Sequence, residues 1–138
     1  MSVVSDSLLK DLIAAVKSRD DAHIDCLLSL GVSPDVIEPG DTWSALHAAV
    51  IFNIGALPKL LSHSRDPDAP QVLGGTPLSY VVHELGEKPE PARRAELFVA
   101  MRLLKDKGAS ALAGGPDQRP MELARLYEMP DVEDRLQA

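Results

Sequence analysis

The chain has 138 residues, 45% of them hydrophobic and only 4% aromatic, which describes one folded domain and excludes global disorder. Its formal charge of −7 falls as −5 up to Gly75 and −2 beyond it; this excludes a protein that tracks nucleic-acid phosphates and is compatible with a protein partner that has a basic surface. A single cysteine, Cys26, excludes an internal disulfide and fits a reducing compartment.

Taken in chain order, the first segment, 1–20, lacks a basic stretch followed by an apolar core. It reads as a helix rather than a secretion signal, and no apolar run is long enough for a membrane span, so a cytoplasmic protein with no membrane contact is expected. From Leu12 onward a pattern repeats: an anchor leucine, a small-residue face, a turn, then a leucine pair. The anchors are Leu12, Leu46 and Leu78, spaced 34 and 32 residues apart, and the pairs lie at 27–28, 60–61 and 103–104. Four units follow, at about 6–39, 40–73, 74–115 and 116–138, with Met121 as the last anchor and Leu136 closing the last unit.

Each unit predicts two helices. Thr76 suits an N-cap with Pro77 in the first turn, where a missing N–H costs nothing. Gly31 and Gly108 follow apolar runs and suit left-handed C-caps, whereas the second unit has Ser64 and Arg65 there. Ala14-Ala15, Ala48-Ala49 and Val81-Val82 let helix pairs approach closely. The third unit carries about ten extra residues, placed as an inserted loop at 86–95. Its polar run from Gly86 to Pro91 is expected to be exposed, with a longer second helix opening at Pro91 or Ala92 and ending near Lys107. No single pair buries its apolar face, so the units must stack.

Thr76-Pro77-Leu78, Ser44-Ala45-Leu46-His47-Ala48-Ala49 and the weaker Arg119-Pro120-Met121, at a period near 33, resemble the ankyrin-repeat family. A tetratricopeptide array has a similar period but no Thr-Pro-Leu opening a helix after a glycine-rich turn. The resemblance covers nearly the whole chain. It implies a single all-α ankyrin-repeat solenoid over 1–138, of stacked helix-turn-helix units with short hairpin-like finger loops. It also implies that His47 makes hydrogen bonds between units.

No catalytic constellation emerges. His23, His47, His63 and His83 lie in different units and form no zinc-ligand spacing. Cys26 lies between Asp25 and Leu27 and reads as a half-buried packing thiol. Gly74-Gly75 and Gly114-Gly115 read as turns, and Arg65-Asp66-Pro67-Asp68 lacks a calcium loop's spacing. A non-enzymatic chain without cofactor or metal is expected.

The resemblance places a partner on a concave surface of finger tips and exposed first-helix positions. These are Trp43, then Ile51 and Phe52, then His83 and Glu84, then Leu126 and Tyr127, with Lys17 and Ser18 in the first unit. Glu38 and Asp41 would give the patch an acidic rim. Aromatic anchors dominate hot spots, so Trp43 and Phe52 are candidates; the competing reading has them plugging gaps left by small residues. The chain is expected to be a monomer when free. It is read as a stand-alone inhibitor or immunity protein for a toxic enzyme, or alternatively as a scaffold for a housekeeping protein.

Overall fold

A computed structural model of the chain describes residues 2–37 and 42–138, with side chains from Leu8 on. The described residues form eight α-helices and no strand: α1 (Ser2–Ser18), α2 (Asp21–Ser29), α3 (Ala45–Phe52), α4 (Leu57–Ser62), α5 (Pro77–Gly86), α6 (Pro91–Asp106), α7 (Pro120–Leu126) and α8 (Pro130–Gln137). One 3-10 turn, Ile54–Ala56, leads into α4. None of these helices is long and apolar enough to cross a membrane.

The helices pair in sequence, α1 with α2, α3 with α4, α5 with α6 and α7 with α8. The first helices also pack in a row, α1 on α3 on α5 on α7. The four anchors, Leu12, Leu46, Leu78 and Met121, are buried in that row, and one continuous core joins them to Leu27, Leu28, Leu60, Leu61, Leu104 and Leu136. Ala48, Ala49, Val81 and Val82 are fully buried between first helices, while Ala14 faces out.

Local chemistry starts and stops these helices. Ser44 and Thr76 each cap a first helix through reciprocal bonds with the third helical residue, His47 and Ser79. Gly31 and Gly108 hold φ of +88° and +108° past the ends of α2 and α6, as a left-handed C-cap requires. In the second unit Ser64 takes that place. It is buried, and its hydroxyl donates to the Asp35 carboxylate at 2.7 Å.

The inserted loop at 86–95 is corrected. Gly86 closes α5, and only Glu87–Glu90 connect to α6, because Pro91 presets the first helical φ and Glu90 is extended before it. The added length lies mostly in α6, which has 16 residues against 9 in α2 and 6 in α4. The expectation for Cys26 is also corrected: it is exposed on α2, whose inward positions go to Ile24, Leu27 and Leu28.

Polar staples join successive units. Asp35, four residues past Gly31, accepts from Ser64 Oγ and from the backbone N–H groups of Arg65 and Asp66 at 2.7–3.0 Å. Asp68, four past Ser64, accepts from the Ser110 N–H at 3.1 Å with both oxygens. Leu112 stands four past Gly108 and is 68% exposed, so the next seam has no such carboxylate. The C-terminal carbonyls of α3 are held from both sides. Arg19 donates to Phe52 O (3.3 Å), and Arg93 donates to Val50 O (2.9 Å) and Ile51 O (3.3 Å).

Candidate functional site

The surface made by the inter-unit fingers and the ends of the first helices collects most of the positions singled out in the sequence. Trp43 and Phe52 meet edge to face with ring centroids 5.8 Å apart. The Lys17 ammonium of α1 lies over both rings, 5.4 Å from Trp43 and 5.2 Å from Phe52. Trp43 is half-buried, and its indole N–H is buried without a partner among the described residues; Phe52 is 38% exposed. The two rings therefore differ: Trp43 leans into the seam between α1 and α3, and Phe52 lies over its edge. Ile51 is half-buried rather than exposed, and the Arg93 side chain of α6 reaches its carbonyl at 3.3 Å. The described charges beside the ring pair are Lys17 and Arg19. Glu38 and Asp41, expected as its rim, lie outside the described residues.

His83, Glu84 and Tyr127 are spent largely on contacts within the array. His83 Nδ1 accepts from the Tyr127 hydroxyl at 2.9 Å, and its Nε2 donates to Gln118 Oε1 at 3.3 Å. Glu84 pairs with Arg93 at 3.1 Å. Both His83 and Glu84 are half-buried, whereas Tyr127 keeps 40% of its surface. Tyr127 also packs against Gly86, where an added Cβ would come within 2.9 Å of the ring. The rings of His47, Tyr80, His83 and Tyr127 follow one another at 5.4–5.9 Å along the first-helix row. His47, fully buried, donates from Nε2 to Gly75 O at 2.9 Å and accepts on Nδ1 from Ser44. This is a bond between units, and burial holds its pKa down at about 4, partly offset by the Gly75 carbonyl.

The finger between the second and third units adds residues that sequence reasoning did not select. The Gln71 N–H donates to Gly75 O at 2.8 Å across a tight turn and the Gly75 N–H donates back to the Gln71 side-chain Oε1 at 3.2 Å, with Gly74 at φ +93° and its N–H on Gln71 O at 2.8 Å. Val72 and Leu73 occupy the tip, 82% and 77% exposed. The turn is braced from the next finger, where the Gly115 N–H donates to Gly74 O at 3.0 Å. The signal was present as two apolar residues directly before a glycine pair, because a turn this tight has no inward side for them. Of the large hydrophobics exposed among the described residues, all but Leu30 and Val99 lie on fingers or first-helix ends: Val36, Phe52, Val72, Leu73, Leu112, Leu126 and Tyr127.

No protein-family model and no curated protein matches the chain. Among the described residues no three His, Cys, Asp or Glu side chains converge as metal ligands would.

Proposed function

We propose that the chain is an ankyrin-type solenoid and a non-enzymatic module that binds another protein across its fingers and first-helix ends. The observation that carries this reading is the gathering of exposed apolar side chains, Phe52, Val72, Leu73, Leu112, Leu126 and Tyr127, on that one surface. The helix-turn-helix pairing, the His47 bond to the next unit and the tight glycine finger support the ankyrin assignment. The net charge of −7 favours a cationic partner, and a toxic enzyme neutralised in the cytoplasm is the partner we propose.

The test is recovery of a one-to-one complex from the native host, followed by assay of the partner. Phe52→Ala combined with Leu73→Ser should weaken binding more than tenfold while melting within a few degrees of wild type. A partner whose activity falls on addition of the chain supports the inhibitor. One that binds on this face with its activity unchanged makes the chain a scaffold. Full affinity in the double variant moves the interface elsewhere.

A further inference from the structure

On the second-helix side, α6 and α8 do not close against each other as the first helices do. They are bridged at one end by the Arg94–Asp131 ion pair. At the other end Lys105 Nζ donates to the Arg135 and Leu136 carbonyls at 3.1 and 2.6 Å. Between the bridges lies a groove of about 310 Å³ lined by Phe98, Met101, Arg102, Lys105, Asp106 and Arg135. Its size sits at the low end for small-molecule sites, which span roughly 300–1,000 Å³.

The chemistry of the groove is at odds with the rest of the molecule. In a chain of net charge −7 the charged side chains that line it are three cations and one carboxylate, set around the Phe98 ring with Ala138 beside them. The Phe98 ring is flanked by guanidinium groups, Arg135 at 4.0 Å and Arg94 at 4.8 Å. Lys105 is occupied by helix-end carbonyls and Arg94 by Asp131. Neither Arg102 nor the Arg135 guanidinium makes a hydrogen bond or ion pair to a described residue, and the latter lies over the ring. Two planar forks beside the half-buried Phe98 ring match a carboxylate on a flat apolar body: the forks take the oxygens and the open edge of Phe98 takes the body. The ends of α6 and α8, whose dipoles present negative charge, and the Asp106 side chain oppose a dianion more than a monoanion.

We propose that this groove binds a small organic carboxylate, independently of the protein-binding face. The probe is benzoate, titrated into the intact protein and followed by amide chemical shifts. Saturable shifts confined to 98–106 and 132–137 are expected. Arg102→Gln and Arg135→Gln should each weaken binding about tenfold, Asp106→Asn should tighten it severalfold, and all three should melt like wild type, since these side chains are solvent-facing. Benzyl alcohol should give no saturable shifts, and phenyl phosphate should bind more weakly than benzoate. Shifts that do not saturate, or that ignore both arginine variants, mean an adventitious additive only and overturn the site. Tighter binding of phenyl phosphate overturns the assignment to a carboxylate. None of these outcomes bears on whether the opposite face binds a protein.

Discussion

At the scale of single residues, His47 gives the sharpest prediction. Its neutral ring carries the proton on Nε2, and Nδ1 faces the Ser44 N–H. Protonating Nδ1 would put two donors face to face in a dry seam. Its folded pKa, about 4, lies below the unfolded 6.5, so the unfolded chain binds the proton more readily. The stability that neutral His47 confers is complete above pH 6.5. It falls as pH drops toward 4, by about 3 kcal/mol across that window. Urea unfolding at pH 7, 5.5 and 4 should show this loss, and His47→Gln should flatten the slope over that range. The paired rings give a second prediction. Trp43→Ala should cost about 2 kcal/mol, because the indole is half-buried in the α1–α3 seam; Phe52→Ala should cost less than about 1 kcal/mol. Equal losses in thermal melts would make both rings packing residues. The inter-unit bond of His47 was legible because its six-residue run resembles the ankyrin signature. The posture of Trp43 was not: Lys17, Phe52 and the end of α1 decide it, and their approach depends on stacking that no local window contains.

At the scale of elements, the turns between paired helices carry strain that the sequence hides. Arg19, Lys88 and Glu128 adopt positive φ of 61°, 54° and 54° at equivalent turns, where glycine is at ease. Arg19 uses the posture to reach Phe52 O, but neither Lys88 nor Glu128 makes a comparable side-chain bond to another unit. Lys88→Gly should therefore stabilise the protein by about 0.5 kcal/mol net of the unfolded chain's added freedom, read as a small rise in melting temperature. Glycines divide the same way. Gly108→Ala meets nothing within 4 Å and should cost only the left-handed penalty of about 1 kcal/mol. At Gly74 an added Cβ would lie 2.9 Å from the Gly115 backbone, so Gly74→Ala should cost at least about twice as much. If the two variants melt alike, the fingers are not in contact in solution. Helix ends were readable from Thr76, Pro77, Gly31 and Gly108. The opening of α6 at Pro91 and its end near Lys107 were readable too; only the bounds of the inserted loop, 86–95, ran into the helix, because a charged run such as Pro91–Ala95 serves equally well in either.

At the scale of the whole molecule, the seams are unequal. Asp35 staples the first finger to the second and Asp68 staples the second to the third. At the next place stands Leu112, and the seam between α6 and α8 is held instead by an exposed ion pair and one lysine. Arrays of this kind open by nearest-neighbour rules, so amide exchange in α7 and α8 should be faster than in α3 and α5, by about tenfold or more. Uniform protection across all four units would mean a single cooperative block. The order of the units could be read from the 33-residue period. The strength of each seam could not, because it depends on whether a carboxylate meets an N–H about thirty residues away.

The two arginines that hold the end of α3 also bear on how the chain responds to load. Arg19 comes from the preceding unit and Arg93 from the following one, so α3 is gripped by both neighbours at its C-terminus. In a chain drawn out from its two ends by optical tweezers, tension reaches the outer helices first, and α7 with α8 has the weakest attachment. The extension trace should show that pair peeling away at low force, with α3 surrendering last as the mechanical keystone of the array.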